Sequence, residues 1–426
     1  MKKRKSIILI SAVTLVFIAI VCIGIFIYKK NDHPFLLINE RGLKVEITEI
    51  NYKKDEVRLK LTMNNYGEDD MKIHCGTNGY SCNSINGYMN SEGYLITTVK
   101  AGSKKSSVIT FSRDKLKMYG IDKISEIELG INVQNDNTKE CIYYSPIKVT
   151  IPETEEDTAT TNSYNQHIQN AKGLDYYVEE EIYNYNDIIV KSVAFISNAD
   201  GDNTVLLEVV NNSSEIAYGM VSDVVVNGML LHENQTRELR INPGKTRIFE
   251  YSLSEVMNTE VCKILGIDKI GEFNCNLTLR DGDNSGKQTS INITNPDANQ
   301  SVDTSGTEVY NENGIRIISK GIIEDYNGYD EYAHLLLLVE NNHSELIGVS
   351  NKSFYMDINE GYLDLELPIY DIPYGCSFLL DFEINMNWIE ESDIVEYTDI
   401  KRVGMSLRLT DKNREVISEP EIVIRN

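Results

Sequence analysis

The residues best suited to chemistry are oxygen ligands crowded into three loops. "NADGDN" (Asn198–Asn203) offers Asp200 and Asp202, and "RDGDNSG" (Arg280–Gly286) offers Asp281 and Asp283. "EDYNGYDE" (Glu324–Glu331) carries a third set. Calcium takes about six to eight oxygens at ~2.3–2.6 Å, so loops this rich in carboxylates are weak candidates for a cation site. None of them has the EF-hand spacing, which needs a bidentate Glu at about the twelfth position. Asp-Gly and Asn-Gly also serve simply as turn dipeptides, and that is the competing reading of all four aspartates.

Other catalytic chemistry finds little support. The six histidines (His33, His74, His167, His232, His334 and His343) share no metal-ligand spacing. "SRDK" (Ser112–Lys115) fits Ser-x-x-Lys, but neither Ser-Asp-Asn nor Lys-Thr-Gly occurs. Ser112 reads better as a helix cap. No glycine-rich phosphate loop is present, and carboxylates are too many for one pair to stand out. No catalytic residue and no cofactor follow, and a non-enzyme is expected. Tyrosine is abundant, 25 against 10 Phe and one Trp, and is densest in "DYYVEEEIYNYND" (Asp175–Asp187). Exposed tyrosines anchor sugars or protein partners, whereas rim packing is the plainer use. The single tryptophan, Trp388, reads as a core plug.

The elements that position these residues occur three times. A strand-like run ends in a double asparagine at Asn64–Asn65, Asn211–Asn212 and Asn341–Asn342. A turn glycine follows at Gly102, Gly244 and Gly375. "INGYM", "VNGML" and "INEGYL" sit between. "GIDKI" occurs at Gly120–Ile124 and again at Gly266–Ile270, and "EYTDI" stands in its place in the third copy. Apolar residues alternate with polar ones, as in Val57, Leu59, Leu61 and Met63, which puts one strand face in a core. Six to eight such strands per ~120 residues predict a two-sheet sandwich.

One helix is expected per copy. "SRDKLKMYG" starts at Ser112, "SLSEVMNTEVCKILG" at Ser252 with Glu255 completing a capping box, and "NWIEESDIVEY" at Asn387 with Glu390. Gly120 and Gly266 would close the first two. The copies span 33–152, 175–296 and 306–426. The joins, 153–174 and 297–305, have compositions that predict flexible linkers.

Residues 1–30 differ in kind. Lys2, Lys3, Arg4 and Lys5 precede an uncharged apolar run, Ile7–Tyr28. As a helix, that run reaches about 33 Å, enough for a bilayer core of about 30 Å. The flanking lysines place the N-terminus in the cytoplasm and the repeats outside, at the cell membrane. A cleaved signal peptide is the competing reading. Six of the 41 basic residues, but none of the 65 acidic ones, lie in these thirty positions. The rest is therefore more acidic than the overall charge of −24, which excludes nucleic acid as an expected partner. Membrane lipid, through the helix, and a surface protein or glycan are the expected partners. Outside the cell, Cys75 and Cys82 would be the nearest disulfide pair and Cys262 with Cys275 a second, buried free thiols being the alternative.

An anchor followed by units of "NGIRI", "VENNHSE", "INEGY" and "GIDKI" resembles the immunoglobulin-like repeat domains of membrane-anchored surface proteins from low-GC Gram-positive bacteria. It is similar to the DUF4352-type sandwich. The likeness covers the three repeats on loose patterns. It implies an extracytoplasmic binding or spacer role and transfers no catalytic residue. The expected architecture is all-β: an N-terminal transmembrane helix, then three tandem immunoglobulin-like sandwiches, each with one short helix.

Overall fold

The computed structural model describes residues 34–76, 83–151, 164–197, 202–231, 238–253, 257–282, 286–326, 331–352, 355–359, 361–364, 367–389, 394 and 396–425. The expected anchor Ile7–Tyr28 lies outside them. Among the described residues no helix is long and apolar enough to cross a membrane. The chain divides into two compact units, one ending at Ile168 and the other beginning at Gln169.

The fold is all-β. Repeat 1 contains β1 (Phe35–Glu40), β2 (Leu43–Tyr52), β3 (Glu56–Asn65), β4 (Met71–Cys75), β5 (Asn83–Ile85), β6 (Tyr88–Asn90), β7 (Leu95–Val99), β8 (Lys104–Ser112), β9 (Glu126–Asn135) and β10 (Cys141–Thr150). Repeat 2 contains β11 (Leu174–Tyr185), β12 (Ile188–Ser197), β13 (Asn203–Asn211), β14 (Ala217–Val226), β15 (Met229–Leu230), β16 (Leu239–Ile241), β17 (Thr246–Ser252), β18 (Glu272–Asp281) and β19 (Lys287–Thr294). Repeat 3 contains β20 (Thr307–Glu312), β21 (Ile315–Glu324), β22 (Tyr332–Asn341), β23 (Ile347–Asn351), β24 (Tyr355–Ile358), β25 (Gly361–Asp364), β26 (Tyr370–Ile372), β27 (Ser377–Asn385), β28 (Arg402–Thr410), β29 (Val416–Ser418) and β30 (Glu421–Arg425).

Each repeat uses the same pairings. One sheet runs β1-β2-β3-β8, and its counterparts are β11-β12-β13-β17 and β20-β21-β22-β27, all antiparallel. The other is built around β9, β18 or β28. In repeat 3 the two sheets face one core, with Ile317, Leu337 and Leu380 from the first and Val349, Met356 and Leu407 from the second. The alternating apolar residues supply that face because successive side chains on a strand point to opposite sides.

The marks that repeat in the sequence are polar clamps. Asn65, Asn211 and Asn341 are buried, with at most 1% of their surface exposed. Asn341 Nδ2 donates to the carbonyls of Glu345 (2.9 Å) and Ile372 (2.8 Å), and its Oδ1 accepts from His343 N (2.9 Å). Asn211 makes the same three bonds to Glu215, Ile241 and Ser213, and Asn65 to Asp69, Val99 and Gly67. The buried residue is the second of its pair in repeat 1 and the first in the other two. With that register, Gly120, Gly266 and Glu396 each lie 55 positions after the clamp.

A second clamp explains "GIDKI". Asn86, Asn227 and Asn359 sit in the left-handed region at φ 49°, 51° and 47°. Asn86 Nδ2 donates to Lys123 O (2.8 Å), while its Oδ1 accepts from Ser125 N and Glu126 N. Asn227 holds Lys269, Gly271 and Glu272 alike, and Asn359 holds Asp399, Lys401 and Arg402. The pentapeptide thus offers its backbone. Ile121 and Ile124 are buried, and Asp122 and Lys123 are exposed.

Two helices end as expected. Helix α1 (Arg113–Met118) is capped by Ser112 Oγ, which accepts from Lys115 N at 3.2 Å. Gly120 N donates to Lys117 O and Ile121 N to Leu116 O, both at 2.8 Å, with Gly120 at φ 74°. That is a Schellman closure. In order along the chain, α2 is Tyr164–Gln169 and α3 is Thr259–Ile264. Gly266 and Ile267 close α3 in the same way onto Lys263 and Cys262.

Several expectations are corrected. Helix α3 is capped by Asn258, not Ser252, which ends β17 and donates to Asp202. Repeat 3 forms 3-10 turns at Met386–Trp388 and Tyr397–Asp399, the first capped by Asn385. Its Glu396 is extended (φ −124°), so nothing takes the left-handed closing position that Gly120 and Gly266 fill. Glu390 and Glu255 lie outside the described residues. Trp388 is 67% exposed, because it stands on a turn beyond the end of β27.

The joins are also less loose than their composition suggests. In the first, Tyr164 and Ile168, one helical turn apart on α2, are buried. In the second, Val302 is buried, and its N–H donates to Asn227 O at 3.2 Å. Asp303 N donates to Leu265 O at 2.7 Å. The buried Lys320 ammonium donates to the carbonyls of Asp303 and Ser305, both at 2.6 Å. Repeats 2 and 3 also pair directly through β15 and β27, with Met229 opposite Ser377 and Leu230 opposite Phe378, in parallel. Limited proteolysis of a chain starting near Asn31 should therefore cut first between Pro152 and Tyr164. A fragment of repeats 2 and 3 should accumulate. Early cleavage at 297–305 would count against this division.

Candidate functional site

His334, on the central strand β22, is a buried residue that meets two carboxylates. Core-facing residues of β22 are Ala333, Leu335, Leu337 and Val339, and His334, Leu336 and Leu338 point the other way yet are equally buried. Strand pairing sets His334 opposite Ile323 on β21 and Glu383 on β27. The side chain is 3% exposed.

Both imidazole nitrogens meet carboxylates. Nδ1 lies 2.8 Å from Asp381 Oδ1 on β27, and Nε2 lies 3.1 Å from Asp325 Oδ1, just past β21. Tyr326 stacks on the ring with centroids 4.2 Å apart, and its hydroxyl donates to Asp381 Oδ2. Asn258 Nδ2 donates to Tyr326 O at 3.4 Å, so the residue that caps α3 of repeat 2 also touches this cluster of repeat 3. Burial lowers the imidazole's affinity for a proton, but Asp381 and then Asp325 more than offset it, and the pKa is raised. Burial and Asp381 push the Tyr326 phenol well up.

This arrangement favours an imidazolium that donates from both nitrogens. Such a ring has no lone pair to offer a metal or a substrate proton. Its chemistry is that of a charged post holding Asp325 and Tyr326 against the sheet.

Of the four aspartates proposed from sequence, the described residues include Asp202 and Asp281, one from each loop. Asp202 accepts from Ser252 Oγ at 3.1 Å, beside the Asn203 end of β13. Asp281 accepts from Asn186 Nδ2 at 3.0 Å, opposite Ala217 and near the Asn211 end. These are opposite ends of β13. Asp200 and Asp283 lie outside the described residues. Among the described residues no group of three or more His, Cys, Asp or Glu could hold a metal ion. The loop at Glu324–Glu331 contributes Asp325 to an ion pair instead. Cys75, Cys262 and Cys275 are buried free thiols, so the Cys262–Cys275 pair does not form. Cys75 donates to Asn83 Oδ1, and Cys82 lies outside the described residues. Burial pushes the Cys275 thiol up to about 12.

The spacing of the histidines from one another does not reveal His334. The signal was elsewhere: "AHLLLLV" (Ala333–Val339) is apolar on both alternating faces, and a histidine in such a strand must be buried and paired.

No family model matches the chain, and no curated protein matches it. Among solved structures, a protein of unknown function from Porphyromonas gingivalis W83 aligns at 12% identity, over 59% of this chain and 99% of its own, with a TM-score of 0.18. Red sea bream transglutaminase aligns at 8% identity, over 70% of this chain and 37% of its own, with a TM-score of 0.16. An exo-chitosanase from Amycolatopsis orientalis aligns at 8% identity, over 55% of this chain and 26% of its own, at the same TM-score of 0.16. Likenesses at these scores carry no argument about function.

Proposed function

We propose that the chain is a single-pass membrane protein with three extracytoplasmic immunoglobulin-like β-sandwiches, acting at a bacterial surface as a non-catalytic binding or structural module. The observation that carries this reading is where the polar groups are used. All three copies keep both asparagine clamps, while corresponding positions off the core differ, as in Arg58, Thr204 and His334. A frame held constant while the residues outside its core change is what a recognition or spacer protein needs. The partners proposed are membrane lipid, through Ile7–Tyr28, and a surface protein or glycan. A second reading is an accessory or sensor ectodomain. Trp388 (67% exposed) and Tyr374 (65%) favour a glycan or peptide ligand over a divalent cation for that reading.

Cells producing the full chain test the first reading. The protein is expected in the membrane fraction, released by detergent and not by salt. Protease added to intact cells should remove the repeats. Protection from protease in intact cells, or recovery in the soluble fraction, would refute it.

A further inference from the structure

We propose that the chain assembles head to tail with a second copy of itself, hairpin β24–β25 of repeat 3 docking on edge strand β8 of repeat 1 in its neighbour. Between repeats 2 and 3 that contact already exists. Strand β15, the outer strand of hairpin β14–β15, lies parallel on β27, and Ser377 N donates to Gly228 O at 2.8 Å. Leu230 packs against the core of repeat 3 beside Phe378.

Repeat 3 carries the matching hairpin. Val226 pairs with Met229 across two residues, and Ile358 pairs with Gly361 across two residues. Each turn begins at a left-handed asparagine making the same clamp, Asn227 or Asn359. Gly361 and Tyr362 therefore occupy the places of Met229 and Leu230. Among the described residues β25 ends its sheet, where β15 continues into β27.

Repeat 1 carries the matching edge. Glu340 pairs with Ser377 and Val339 with Phe378, while Asn64 pairs with Lys104 and Met63 with Lys105. The clamps fix the equivalence, since Asn341 N donates to Cys376 O and Asn65 N to Ser103 O, both at 2.9 Å. Lys104 and Lys105 thus stand where β27 receives β15, and β8 ends the sheet β1-β2-β3-β8.

Carrying the observed register over places Gly361 opposite Lys104 and Tyr362 opposite Lys105. The apolar pair Leu230–Phe378 becomes an aromatic ring beside an ammonium, an attractive pairing. Tyr362 is 74% exposed, and both lysines are exposed. Lys105 Nζ also donates to Thr98 O at 3.1 Å, which holds the charge at the edge. Two adjacent lysines on an open strand form a basic island in a chain of net charge −24. Joining unlike surfaces leaves a hairpin and an edge for the next copy, the heterologous kind of contact that builds a series or a ring.

The inference adds a partner to the module proposed above and rests on that reading only for its biological setting. Its test uses purified full chain in detergent, where membrane location plays no part. The double variant Lys105→Cys with Tyr362→Cys, treated with a short bismaleimide, should give a ladder of covalent oligomers above the background of the parent chain. Mixing the two single variants should give dimers only. In sedimentation without cross-linker, Lys105→Glu should weaken association by roughly tenfold. The exchange Lys105→Tyr with Tyr362→Lys should restore it. Cross-linking no greater than the parent's would overturn the proposal. So would dimers from either single variant alone, or association indifferent to Lys105→Glu.

Discussion

Asn341→Ala is expected to lower the stability of the second unit by roughly 3–5 kcal/mol, because three backbone groups lose their buried partner at once. The carbonyls of Glu345 and Ile372 and the N–H of His343 all depend on that amide. With ~2–4 °C per kcal/mol for a domain of this size, the unfolding midpoint should fall by about 10 °C. The neighbouring Asn342 is exposed and supplies only its backbone N–H, to Gly314 O, so Asn342→Ala should change little. Thermal unfolding of the two variants decides the matter, and equal midpoints would remove the clamp from the account. Asn65→Ala should act on the first unit alone, since its partners Asp69, Val99 and Gly67 all belong to it.

The second large effect is expected at His334. Replacing it by glutamine removes the imidazolium from beside Asp325, whose side chain is only 3% exposed. Removing one partner of a buried ion pair costs roughly 3–5 kcal/mol. The pH dependence has a definite sign. The folded pKa of His334 lies above the ordinary value of 6.5. Its contribution is therefore fully present below that ordinary value and is lost as pH rises through the folded value. Unfolding of the second unit followed across this range should show stability falling as pH rises. His334→Gln should be less stable at low pH and should lack that part of the slope. An unchanged slope in the variant would assign the pH dependence to other groups.

How far the fold could be read in advance depended on the kind of signal. Alternation in Val57–Met63 and its counterparts reported faithfully on strands, because burial of one face imposes period two. Gly120 and Gly266 reported on helix ends, because few other residues take the left-handed closing position at low cost. Ser252 misled because a capping box is a local pattern, whereas pairing with β13 keeps that serine in a strand. The double asparagines marked the repeats without disclosing which member of each pair is buried. That depends on partners 30 to 34 positions away, such as Ile241 for Asn211 and Val99 for Asn65. The His334 cluster joins residues up to 55 positions apart, and no short motif encodes it. Tyr164 and Val302 were hidden among polar neighbours, where averaged composition masks a single anchoring side chain.

The pinned segment between repeats 2 and 3 gives the molecule a reserve of length. The nine residues 297–305 would span about 30 Å if drawn straight, at ~3.3–3.6 Å per residue. Here that length is taken up by backbone bonds from Val302 and Asp303 and by the Lys320 ammonium. If the two repeats are pulled apart, these contacts, the Asn258–Tyr326 bond and the short β15–β27 pairing bear the load before either core does. The join then acts as a mechanical fuse, yielding slack at low force while both sandwiches stay folded.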